Sequence, residues 1–179
     1  MTWHQIWIQA ITRPSHITYK NIVTWMPKDL KTPVLWVFMS SWIGFGLSYN
    51  VYRITQNQYD SRFVICSALF GGFGILGLGL YTLVTQFVAK LLGGSGTFGL
   101  LFRVLASAVS PLVILSGVVG ALGNVMPLLS AGTIIIWIYQ LVISVLITQA
   151  VNDFTLNKAI FSNLPLIAVE ILNYLVQVT

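Results

Sequence analysis

Charge is what this chain has least of. Only 7% of its 179 residues are Asp, Glu, Lys or Arg, against 56% hydrophobic. A water-soluble domain needs far more polar surface to cover its apolar atoms, so the composition implies an integral membrane protein. There is a single cysteine, Cys66, inside an apolar run. That excludes an internal disulfide and any paired-cysteine metal site. The two histidines, His4 and His16, stand outside the apolar runs, which argues against haem or bacteriochlorophyll held by a membrane-embedded imidazole. The four acids, Asp29, Asp60, Asp153 and Glu170, are scattered without metal-ligand spacing, and no GxSxG or HExxH pattern occurs. No enzyme is expected, and no catalytic, cofactor or metal residue is assigned. Lipid, quinone and carotenoid need only apolar grooves and leave no motif. The net charge of +5 reads as membrane topology and lipid headgroup contact, not nucleic-acid binding.

What is present is a series of long apolar runs. Residues 33–52, 63–92, 98–122, 131–151 and 159–178 are each close to the ~20 residues that cross a bilayer. The expected fold is therefore all-α, a polytopic domain of five transmembrane helices over 33–179. Thr32-Pro33 reads as the start of the first, a hydroxyl cap followed by proline. The second is long for a ~30 Å core and must tilt or protrude. Pro111 lies inside the third and Pro165 early in the fifth. Ahead of them, residues 1–32 form an amphipathic segment. Trp3, Ile6, Trp7, Ala10 and Ile11 share one helical face, until Arg13-Pro14 ends the pattern. A second short piece runs from His16 to Met26. Both are too short and polar to span, and are expected in the membrane interface with Trp3, Trp7 and Trp25 as anchors at headgroup depth. Packing on the chain's own membrane domain is the compatible, blander reading.

Basic residues set the expected orientation. With the N-terminus inside, that side holds Arg13, Lys20, Lys28, Lys31, Lys90, Arg103 and Lys158, and the other only Arg53 and Arg62. This favours a cytoplasmic N-terminus and a C-terminus on the opposite side, in a bacterial plasma membrane.

Three features stand out as candidate sites. Gly71, Gly72, Gly74, Gly77 and Gly79 give the second helix a small-residue surface, which lets helix backbones approach closely in lipid. It serves either a partner subunit or, the favoured reading, packing within this chain, with Gly117 and Gly120 as a complementary surface. Glu170 is the one acid within an expected span, and Asn173 and Gln177 follow on its face. Arg103 enters from the cytoplasmic side and is a candidate partner for Glu170. An ion pair or subunit contact is favoured over an ion path, which usually needs several acids. Gly93-Gly94-Ser95-Gly96-Thr97 lacks the lysine and preceding strand of a phosphate loop, so a helix C-cap and hinge is expected.

Several of these stretches, in order, resemble the Yip-domain family, five-helix membrane proteins that include Golgi Yip and Yif proteins and bacterial members. Ile11-Thr12-Arg13-Pro14-Ser15 with Tyr19 resembles the bacterial members' N-terminal segment. Leu91 to Phe98 resembles their glycine-rich turn, Ser110-Pro111-Leu112 their mid-helix proline, and Asn157-Lys158-Ala159 with Pro165 the opening of their last helix. The resemblance covers nearly the whole chain. It implies five helices, a cytoplasmic N-terminus and no enzyme activity. Eukaryotic members act in vesicle trafficking and contact small GTPases through long N-terminal regions; this chain has about 32 residues before its first expected span.

The functional expectation is a non-catalytic scaffold or accessory subunit of a larger membrane complex, with a respiratory or photosynthetic electron-transfer assembly as one host class. Its partners would be other membrane subunits and lipids. The alternatives are a small transporter or channel using the Glu170 stripe, and a membrane-shaping protein with residues 1–26 as a wedge.

Overall fold

The computed structural model describes residues 2–57 and 63–178; within these, the side chains at 3, 63–66, 127, 130, 166 and 169–178 lie outside the described set. The described backbone is all-helical: α1 (Trp3–Thr12), α2 (His16–Trp25), α3 (Lys31–Thr55), α4 (Phe63–Leu91), α5 (Phe98–Gly123), a short 3-10 turn at Pro127–Leu129, α6 (Ser130–Asn152) and α7 (Leu156–Val178). Among the described residues, four stretches are long and apolar enough to cross a membrane: Lys31–Thr55, Ser67–Leu91, Phe98–Gly123 and Ala131–Asn152.

The start of α3 differs from the expected Thr32 cap. Asp29 caps it instead, accepting from the Lys31 amide at 3.0 Å and the Thr32 amide at 3.4 Å, while the Thr32 hydroxyl donates to the same carboxylate at 3.2 Å. A carboxylate is the stronger acceptor for the orphan N–H groups of a first turn. These bonds hold the Asp29 carboxyl below its ordinary range, the Lys31 amide contributing most.

The chain divides into two compact units. One comprises Met1–Lys28, Gly79–Leu105 and Leu141–Thr179. In it, α1 and α2 form a hairpin: Ser15 caps α2 by accepting from the Thr18 amide at 3.1 Å, and the Tyr19 hydroxyl donates to the Ala10 carbonyl at 2.8 Å. Ile6, Ala10, Tyr19 and Ile22 are fully buried, so the inner face is spent on the chain itself, while Ile8 and Ile17 stay exposed.

The other unit comprises Asp29–Leu78 and Ala106–Gln140. Its small-residue seam belongs to α3. Gly44 lies against the backbone of Val113, and a Cβ there would come 2.5 Å from the Val113 carbonyl oxygen. Gly117 of α5 meets the Gly44 backbone, and Gly120 faces Ser48. α3 also receives α4: Gly71 abuts the Phe38 ring, Gly74 abuts Ser41, and the Trp42 indole donates to the Ser67 hydroxyl at 3.1 Å. Gly117 and Gly120 therefore complement α3, not the α4 glycines. The reason is steric: Gly44 and Ser48, one turn apart, are the short side chains that permit backbone contact.

Candidate functional site at the glycine loop

Two helix ends in the first unit close by the same device. At the end of α4, Gly93 takes φ +86° and the Gly94 amide reaches the Ala89 carbonyl at 2.9 Å. At the end of α6, Asp153 takes φ +53° and the Phe154 amide reaches the Gln149 carbonyl at 3.0 Å. Both are left-handed terminations that satisfy otherwise orphaned carbonyls. Glycine adopts this conformation without strain, and Asp is among the few others that tolerate it. The C-cap expected at Gly93-Gly94 is thus present.

Between these ends lies a buried amide cluster. Asn152, the last residue of α6, accepts from the Gly96 amide at 3.1 Å and the Gln86 side chain at 3.2 Å. Its own amide donates to the Thr148 carbonyl at 3.2 Å and to Gln86 at 3.4 Å. Gln86 also donates to the Gly96 carbonyl at 2.8 Å. Side chains and loop backbone thus satisfy one another where water does not reach; Gln86 is 5% and Asn152 2% exposed. The glycines are needed for contact: a Cβ on Gly94 would meet Asn152 and Phe154, and one on Gly96 would meet Val151 and Asn152. Beneath sits an apolar layer of Ala89, Phe154 and Ala159.

A second polar string lies further along the same helices. The Tyr81 hydroxyl donates to the fully buried Asn163 at 2.5 Å. The Asn163 amide donates to the Ala159 carbonyl at 2.8 Å and the Thr148 hydroxyl at 3.3 Å, and Thr148 donates to the Ser144 carbonyl at 2.8 Å. The Thr85 hydroxyl, also fully buried, has no hydrogen-bond partner among the described residues.

The outer rim is basic. Lys20 of α2 pairs with Asp153 at 2.8 Å. Lys158 of α7 donates to the Leu92 carbonyl at 3.0 Å, and Lys90 of α4 to the Gly94 carbonyl at 3.1 Å. These contacts bring Lys20, Lys90 and Lys158 to one end of this unit. The Lys20 hydrogen bond and charge, with a smaller share from His16, hold the Asp153 carboxyl below its ordinary value of 3.8. A depressed folded pKa adds stability above the unfolded value, and that stability fades as pH falls through the folded value. Both partners are more than half exposed, so the effect is local and salt-screened. The protection of the α2 amides against hydrogen exchange, relative to their intrinsic rates, is expected to fall as pH drops below about 4, and in Asp153→Asn at neutral pH. Equal exchange in wild type and variant would show that the pair does not hold the hairpin down.

The residues singled out from the sequence fall differently. Gly71 and Gly74 are close-packed within the chain, whereas Gly72, Gly77 and Gly79 have open space where a side chain would be. Arg103 is half-buried in the second turn of α5, and Trp7 and Trp25 are half-buried. The side chains of Trp3, Glu170 and Asn173 lie outside the described residues, and with them the Arg103–Glu170 pairing. Sequence reasoning missed Tyr81, Gln86, Asn152 and Asn163. The available signal was an uncharged amide inside an apolar run, costly in lipid unless it finds a partner. Among the described residues, no group of three His, Cys, Asp or Glu is placed to hold a metal ion.

The family model described as the Yip1 domain matches residues 8–176. The chain belongs to the Yip1 domain family. Neither a comparison with curated proteins nor one with solved structures finds a match. For this Yip1-domain chain, the match together with the apolar helices marks an integral membrane protein. The matched region takes in the α1–α2 hairpin from Ile8 onward, the glycine loop, and Gln86, Asn152 and Asn163.

Proposed function

We propose that this Yip1-domain protein is a non-catalytic scaffold or accessory subunit of a larger membrane complex. In this reading it spans the membrane five times through α3 to α7. The α1–α2 hairpin lies in the interface, the N-terminus is cytoplasmic and the membrane is a bacterial plasma membrane. Electron-transfer assemblies are the first host class to test.

The observation that carries the reading is the open face of α4. Leu69, Phe73, Leu76 and Leu80 are exposed at alternating spacings of four and three residues, and Gly72, Gly77 and Gly79 meet nothing within 4 Å. Small residues beside large ones form the surface on which another transmembrane helix packs closely. The amide cluster supports the same reading, since its polar atoms are used to hold the loop.

The first test is the native mass after gentle detergent extraction, with identification of what travels with the chain. Stoichiometric recovery with one complex supports the proposal; recovery as free monomer overturns it. A paired substitution locates the contact. Gly72→Leu with Gly79→Leu meets open space, so it is expected to leave the fold intact and release the chain from its complex. Gly74→Leu collides with Ser41 and is expected to lower the amount of folded protein. A Gly72/Gly79 variant that keeps its partners would remove this face from the interface.

The Tyr81–Asn163–Thr148 string and the Thr85 hydroxyl, which has no hydrogen-bond partner among the described residues, favour, as a second reading, a small transporter in which Glu170 carries the charge. Glu170→Gln is then expected to abolish flux in reconstituted vesicles with folding unchanged; flux equal to wild type would dismiss it.

A further inference from the structure

We propose that Lys90 and Lys158 form the phosphate-binding end of a site for one anionic phospholipid. Its acyl chains would follow the outward ridges Leu83–Phe87 of α4 and Phe161–Leu164 of α7.

Three observations within the first unit carry this. The first is convergence. The two ammoniums approach the same three-residue turn from different helices, one on the Leu92 carbonyl and the other on the Gly94 carbonyl. Each lysine carries three N–H donors and spends one on a carbonyl, leaving two apiece for an anion. The second is charge balance. The carboxylate on the neighbouring turn, Asp153, is already taken by Lys20 at 2.8 Å. Three ammoniums therefore share one carboxylate at this rim, and the surplus over the turn is positive. Carbonyl dipoles orient those ammoniums but do not neutralise them; a phosphate does so with charge-assisted hydrogen bonds.

The third observation selects a lipid over a free anion. Each lysine ends an apolar ridge that faces away from the protein. Leu83 and Phe87 lie seven and three residues before Lys90 and are 55% and 65% exposed. Phe161 and Leu164 lie three and six residues after Lys158 and are 59% and 42% exposed. Offsets of three and seven place Leu83 and Phe87 on the Lys90 side of α4 and Phe161 on the Lys158 side of α7, with Leu164 about a third of a turn further round. The two helices run alongside each other here, tied by Lys158 to Leu92 at one level and Tyr81 to Asn163 at another. A cationic end over two parallel apolar tracks matches a phosphate carrying two acyl chains. It differs from diffuse attraction to a charged leaflet, which any exposed lysine near the surface supplies.

Native mass spectrometry of the full-length protein in detergent tests this, with phosphatidylglycerol and phosphatidylcholine of equal chain length as probes. One phosphatidylglycerol is expected to bind in preference to phosphatidylcholine. The preference is expected to fall roughly 10- to 30-fold in Lys90→Gln/Lys158→Gln. Glutamine can still donate to the loop carbonyls, so the turn is retained. Lys28→Gln/Lys31→Gln, which removes two basic residues elsewhere, is expected to keep the preference. Absence of selectivity in the wild type overturns the proposal without recourse to any variant. Equal loss in both double variants also overturns it, as a general charge effect. Displacement of phosphatidylglycerol by inorganic phosphate would make the ligand a free anion and overturn the lipid assignment.

Discussion

Asn152→Leu is expected to lower stability by roughly 2–5 kcal/mol, a fall of roughly 5–15 °C in the unfolding midpoint in detergent. Leucine nearly matches asparagine in shape, so the space filled changes little. What changes is hydrogen bonding. The Gly96 amide, the Gln86 side chain and the Thr148 carbonyl each lose a partner. Gln86 and Gly96 are buried, where water does not replace it. Each orphaned buried group costs about 1–3 kcal/mol. Asn152→Asp is no remedy: it keeps the acceptor for Gly96 but places a second oxygen against the Thr148 carbonyl and the Gln86 oxygen. Asn157→Leu, at an exposed position five residues on, serves as the control, with a change within about 0.5 kcal/mol. A midpoint for Asn152→Leu within about 2 °C of wild type would mean that the cluster does not hold the glycine loop.

Gly117→Leu is expected to have a still larger effect, roughly 3 kcal/mol or more, read as loss of folded protein after extraction. Most overpacked side chains find relief because a neighbour shifts its rotamer. Here the neighbour is the backbone of Gly44, which has no rotamer to change, so α3 and α5 must part along their seam. In lipid nothing repays that separation, because close packing and hydrogen bonding between helices supply the attraction. The contrast is Gly99→Leu in the same helix, where an added Cβ meets nothing within 4 Å. It is expected to be neutral or slightly stabilising through better helix propensity. If Gly117→Leu folds as well as Gly99→Leu, the α3–α5 backbone contact is not needed.

These two positions also measure how much was legible beforehand. Gly117 stands out in the sequence as a small residue in an apolar helix, but the pattern points to α4 for its partner, where the structure gives α3. Composition ranks α4 first, with five glycines between positions 71 and 79. Yet only Gly71 and Gly74 of these are covered by the chain, and α3 supplies the seam with Gly44, Ser41 and Ser48. Serine in an apolar run gave no strong signal, although its side chain is short enough for the same purpose. In the sequence the charged Glu170 and Arg103 stand out instead, since an intramembrane charge is the costliest group to bury. The uncharged amides Gln86 and Asn152, which build the cluster, and Asn163 of the second string carry no charge to mark them.

The sequence by itself determined the class of protein, its helical character and where helices stop. Those are local consequences of composition and of residues such as Gly93 and Pro14, which act on their own backbone. Only the tertiary structure decided which glycines lie in contact, which amides pair and which lysines share a turn. Those pairings join residues far apart in the chain, such as Gln86 with Asn152 and Tyr81 with Asn163, separated by 66 and 82 positions. No local pattern encodes such a match; it exists only once the helices lie side by side and each buried polar group takes the partner within reach.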